Sequence, residues 1–100
     1  MALFAVLTTQ NPTGISADEF RRRLPQGFAY FKALVDKGVI KHSWARVGAQ
    51  GGLNIFQVDS HEELAVALYD NPISPHLTFE VFPLAEVSSI DPVAFEQDAG

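Results

Sequence analysis

No cysteine occurs in the 100 residues, which excludes disulfides, thiolate nucleophiles and sulfur-ligated metals. Basic residues are also scarce: 7 Lys and Arg stand against 12 Asp and Glu, a net charge of −5. A phosphate backbone needs the opposite balance, so nucleic acid is not an expected partner. The one basic cluster, Arg21-Arg22-Arg23, is too short to reverse that. No apolar run approaches the roughly 20 residues of a membrane helix, and no membrane partner is expected. The apolar start Met1–Leu7 lacks the basic flank and the length of a signal peptide, so the expected location is the cytoplasm. The 3 histidines, His42, His61 and His76, show neither HxH nor i,i+4 spacing, which gives a metal site no support. There is no GxSxG elbow, phosphate loop or dinucleotide fingerprint.

What remains is a small globular chain, 47% hydrophobic and 19% charged, which suits one domain with a modest core. Leu3–Thr9 is an apolar run rich in strand formers and ends at Asn11-Pro12-Thr13-Gly14; it is expected to be a central strand covered on both faces. Ser16 and Glu19 have the spacing of a capping box. Phe20, Leu24, Phe28, Phe31 and Val35 then form one apolar stripe on a helix that stops at Gly38. Pro25 interrupts that stripe and predicts a kink or two abutting helices. A second strand over 39–47, the glycine-rich connection 48–52 and a third strand over 53–59 follow. Ser60 and Glu63 repeat the capping box at the start of a shorter helix that Asp70-Asn71-Pro72 stops. Leu77–Phe82 is the last strand.

The order βαββαβ predicts a ferredoxin-like α+β domain over 1–85, a four-stranded antiparallel sheet with two helices on one face. The acidic tail 86–100 is expected to be a short helix starting at Asp91-Pro92, a disordered end, or an arm onto a neighbouring subunit. Two helices on one face leave the other bare. Its apolar area calls for a partner, and two sheets packed face to face as a homodimeric α+β barrel, or a higher homo-oligomer, supply one.

The residues then resemble a known family. His42-Ser43-Trp44 with Val47-Gly48, Ile55-Phe56-Gln57-Val58 with Ser60, Glu63-Leu64, Pro72-Ile73-Ser74-Pro75 and Phe79-Glu80-Val81-Phe82-Pro83-Leu84 are similar to the muconolactone isomerase family over roughly residues 2–85, the span of a single-domain family. The resemblance implies a dimeric α+β barrel and a proton-transfer isomerisation of a small unsaturated lactone without metal or organic cofactor. Related small barrels dehalogenate or cyclise. The family pattern places ionisable residues on the first strand, where this chain has Ala5 and Leu7, and charge in the first helix, where it reads Pro25-Gln26-Gly27-Phe28. Muconolactone carries a carboxylate that needs a cationic partner, so the departures point to a more apolar pocket and a less charged ligand.

Alternation assigns the pocket face. On the second strand His42, Trp44 and Arg46 share one face. Phe56, Val58, Leu77, Phe79 and Val81 are expected to meet the helices. That leaves His42, Arg46, Gln57, Thr78 and Glu80, with Leu3, Ala5, Leu7, Trp44, Ile55 and Phe82, to line a pocket between paired sheets, the mix of apolar walls and few polar groups a small-molecule site needs. His42 is the first candidate for acid–base catalysis because its reference pKa lies near neutrality; its plainer role is a strand histidine at the dimer seam. Glu80 is a second proton carrier if desolvation raises its pKa, or else one half of an ion pair with Arg46 across the dimer. Arg46 otherwise meets a carboxylate or enolate oxygen of the ligand. Trp44 is a pocket wall or dimer contact. Gln57 and Thr78 are polar groups of the same face. Tyr30 and Gln26 flank Pro25 and reach the pocket only if the helix opens there. His76 is a residue of the pocket mouth or a solvated loop histidine. The expected function is a small cofactor-free isomerase or cyclase acting on a small cyclic or enolisable substrate. The alternative is a non-catalytic binding or assembly protein on the same barrel.

Overall fold

A computed structural model of the chain describes residues 1–89. Its elements are β1 (Ala2–Gln10), α1 (Ala17–Asp36), β2 (Ile40–Ala45), β3 (Gly51–Val58), α2 (His61–Tyr69) and β4 (Leu77–Leu84), with short 3₁₀ turns at Ser74–His76 and Val87–Ser89. The four strands make one antiparallel sheet in the order β2-β3-β1-β4. This is the expected α+β arrangement, with the apolar first strand in the interior of the sheet. The helix and arm readings of the tail beyond Ser89 lie outside the described residues.

Both capping signals act as read at their serines. Ser16 Oγ accepts from the Glu19 amide at 3.1 Å and Ser60 Oγ from the Glu63 amide at 3.1 Å, each satisfying a helix-start N–H that has no partner within its helix. The reciprocal arms differ. Glu63 reaches back to the Asp59 amide at 2.9 Å, whereas the Glu19 carboxylate turns to Arg22 and Arg23 at 2.7 and 3.0 Å. Those side-chain hydrogen bonds, Arg22's first, hold the Glu19 pKa below its ordinary value. With Arg21 paired to Asp18, every arginine of the basic cluster has a carboxylate partner on an exposed helix face, Arg22 and Arg23 sharing Glu19.

Pro25 does not divide α1, which runs as a single helix of 20 residues. The apolar stripe also differs from its expected path. Phe20 and Gly27 are buried, and Phe31 and Leu34 pack against the core, while Phe28 is 60% and Val35 39% exposed. The seam therefore steps through 20, 24, 27, 31 and 34, alternating four and three. Gly27 explains the shift: a Cβ there would lie 2.6 Å from Ile73 Cδ1 and 3.3 Å from Asn71 Oδ1. Hydropathy cannot count a residue that lets a helix approach its neighbour by having no side chain.

The core lies between the helices and one sheet face, formed by Phe4, Val6, Ile40, Phe56, Val58, Leu64, Ala67 and Leu68. On β2 the regular alternation breaks. Ile40 pairs with Phe56 but His42 with Ile55, a bulge that leaves Lys41 unmatched. The extra residue lets Ile40 enter the core while His42 and Trp44 turn to the opposite face. On that face the apolar residues Leu3, Ala5 and Leu7 of β1 are only half-buried, so in the single chain the first strand is covered on one side rather than both.

Candidate functional site

The sheet's helix-covered face carries side chains that become small toward the β2–β3 hairpin. Phe56 is followed on that face by Asn54 and then Gly52, and their β2 partners Ser43 and Ala45 are small as well. Gly51, next along, has φ +158°, and a Cβ there would sit on the Thr8 carbonyl oxygen. The strands can close only around a glycine. With little side-chain volume below and α1 rising above, a hollow of about 760 Å³ opens between sheet and helices. That is within the usual range of ligand sites.

Phe28, Tyr30, Phe31 and Leu34 of α1 roof the cavity; Ala67, Leu68, Asn71 and Ile73 close one side. Thr8, Ser43, Asn54 and Phe56 form the floor, and residues 48–52 of the hairpin, with Trp44 and Arg46, form the rim. The Tyr30 hydroxyl donates to the Ala67 carbonyl at 2.7 Å, one of the last carbonyls of α2 and so without a helical partner. Burial, and then the charge of Asp70, push the Tyr30 pKa up. The phenol stays neutral and donating through the physiological range. Among the described residues lining the cavity there is no Asp, Glu or His.

The expected site residues divide between the two faces. Tyr30 lines the cavity although the helix does not open at Pro25. Trp44 and Arg46 touch its rim, but the Arg46 guanidinium crosses Gly51 to donate to Thr9 Oγ1 at 2.9 Å, on the helix-free face. His42 stacks on Trp44, ring centroids 5.7 Å apart and 15° from parallel. Through the strand registers it shares the helix-free face with Ile55, Gln57, Thr78, Glu80 and Phe82. The group assembled by alternation is thus together on one face, while the cavity of the chain lies on the other. Within the described chain Arg46 makes no ion pair with Glu80. His76 is half-buried, its ring edge-on to Phe20 at 5.9 Å with an unpartnered Nδ1, and it does not line the cavity.

Two cavity features escaped the sequence reading. Asn54 has the same parity as Phe56 and Val58, so alternation alone could have placed it on the helix side as the polar exception. The hollow itself has no such signal, because its floor is made of the small residues Ser43, Ala45 and Gly52, which carry no hydrophobic pattern. Among the described residues no cluster of three or more His, Asp or Glu could hold a metal. No helix there is long and apolar enough to cross a membrane.

The family profile of muconolactone delta-isomerase matches residues 1–89. The chain belongs to that family. The muconolactone delta-isomerase of Acinetobacter baylyi is 30% identical over 73 residues, spanning 73% of this chain and 76% of the relative. Muconolactone delta-isomerase 1 of Acinetobacter lwoffii is 37% identical over 68 residues, 68% of each chain. A crystal structure of muconolactone isomerase matches with a TM-score of 0.75 and 26% identity, covering 89% of this chain and 95% of that one. A 5-chloro-2-hydroxyhydroquinone dehydrochlorinase from Burkholderia phenoliruptrix matches at a TM-score of 0.66 and 17% identity, covering 89% and 99%, which shows a shared fold alone.

Proposed function

We propose that this member of the muconolactone isomerase family binds a small, weakly charged cyclic or enolisable compound in the helix-side cavity and rearranges it without a cofactor, solvent water at the open side taking the C–H proton and returning it to the neighbouring carbon. The observation that carries this reading is the cavity itself, about 760 Å³ walled by aromatic and aliphatic side chains with a few neutral polar groups. Its one rim cation is turned onto Thr9, which leaves the interior no free cationic partner and favours a lactone or ring ketone over a carboxylate-bearing substrate. Tyr30 spends its one proton on the Ala67 carbonyl, so it gives the cavity an aromatic wall and an acceptor oxygen rather than a donor.

The roles expected of His42 and Glu80 as proton carriers, with Arg46, Gln57 and Thr78 as ligand contacts, belong to a different space. They require a second copy whose sheet packs on the helix-free face. Pairing of that face is part of the proposal, because its half-buried aliphatics and exposed Phe82 and Leu84 form an apolar surface that water leaves unfavourable.

A second reading, binding without turnover, is favoured by one observation: no lining side chain among the described residues is a base that titrates near neutrality. α-Angelica lactone, an uncharged unsaturated lactone, separates the two in D₂O. Enzyme-dependent deuterium incorporation or double-bond migration supports the isomerase. Saturable binding at the cavity amides without exchange supports the binding protein, and no binding at all refutes both.

A further inference from the structure

One cavity residue is left unexplained by either packing or fold. Asn54 stands on β3 between Val6 of β1 and Ser43 of β2. It is the single buried polar side chain among the described residues, 7% exposed amid Phe56, Val58 and the rest of the core. Its Oδ1 has no hydrogen-bond partner. Buried amide oxygens are ordinarily paired, and one that is not is a standing penalty on the folded state. Yet the residue lines the cavity beside the open space above Gly52, so a ligand can supply what the protein does not.

We propose that Asn54 sets specificity in the cavity by accepting a hydrogen bond from a hydroxyl on the ligand ring. The inference rests on reading this cavity as the ligand site. The orphaned atom is an acceptor, so its complement is a donor, and the neutral lining selects an uncharged one. The terminal torsion of an asparagine is soft, and a turn about it presents the oxygen to the cavity. An enol carries such a hydroxyl where its keto form carries only an acceptor. With Oδ1 turned to the cavity and Nδ2 away from it, Asn54 pairs the enol and not the keto tautomer, which is differential binding of the kind that speeds proton transfer. Ser43, directly across the strand pair, offers a second hydroxyl within the same reach.

Phenol and toluene serve as probes, matched in size and differing in the hydroxyl, with phenol standing in for an enol. Binding is followed by amide shifts of Gly52, Asn54 and Phe56 in the full chain and in Asn54→Leu. The expected result is a phenol-to-toluene affinity ratio that falls about ten- to a hundredfold in the variant. Thermal stability of the unliganded protein is expected to rise, because leucine removes the unpaired oxygen at similar volume. Asn54→Ala reports the same ratio if the leucine variant fails to fold. Binding of both probes with an unchanged ratio overturns the inference and leaves the cavity reading standing. A ratio unchanged and a lowered melting temperature give Asn54 a structural role only, and also overturn it. Phenol binding without toluene binding, lost in the variant, supports the inference as well; failure of both probes to shift cavity amides overturns both readings.

Discussion

The two faces of the sheet solve different problems with the same four strands. The helix-covered face buries Phe4, Val6, Ile40, Phe56 and Val58 and then, toward the hairpin, runs out of side-chain volume and becomes a cavity. The helix-free face keeps its apolar residues half-exposed and carries His42, Trp44, Glu80, Gln57 and Thr78. One face thus has the larger hollow, about 760 Å³ and open on one side, with few titratable groups, and the other carries the titratable groups beside a smaller hollow of about 530 Å³ at Leu3, Gln57 and Leu84. Chemistry-bearing residue types are a poor guide to a site when the space that would hold a substrate is made by small residues elsewhere.

The contrast can be broken by substitution, the largest effect coming from the core. Phe56→Ala on the covered face should cost about 3–5 kcal/mol, read as a lower urea midpoint, whereas Phe82→Ala on the open face of an isolated subunit should cost under about 1 kcal/mol. Next is the open face as an interface. Leu7→Glu places a charge at its centre, which should weaken self-association by roughly 3 kcal/mol, seen as a shift toward monomer in sedimentation, while the fold survives because Leu7 is only half-buried in the single chain.

Tyr30→Phe comes third. It removes the bond to the Ala67 carbonyl and should cost about 1 kcal/mol. The variant also sharpens the pH behaviour. The Tyr30 pKa is raised by burial and by Asp70, so its contribution is fully present below the unfolded tyrosine pKa of about 10 and is lost as the pH rises beyond that toward the folded value. Denaturation between about pH 9 and 11 should lose more stability in the parent than in Tyr30→Phe. The smallest effect is expected for His42→Ala and Glu80→Gln, which should leave lactone binding within about twofold, since both side chains are on the far face. A loss of binding in either would move the site to the space between paired subunits.

Much of the scaffold was legible because local chemistry specifies it. Ser16 and Ser60 cap helices wherever those helices pack, and β1 reads as an interior strand from its unbroken apolar run. Face assignment was legible too, as a period of two carried through the strand registers. The Lys41 bulge, by contrast, reverses parity between Ile40 and His42, and only the pairing with β3 reveals it. The misplaced half of the α1 stripe at Phe28 and Val35 has a similar origin, since Gly27 earns its buried position from its contact with Ile73 and not from any hydrophobicity of its own.

By itself, then, the sequence determined the element order, the helix starts, the family and the membership of each sheet face, all of which follow from spacing and propensity along the chain. The tertiary structure alone decided which face carries the larger hollow. A cavity is an absence of atoms between elements distant in sequence, here α1, the β2–β3 hairpin and the loop after α2. Nothing in the order of residues records such an absence until the backbone brings Ser43, Ala45 and Gly52 under α1 and leaves Asn54 unpaired beside them.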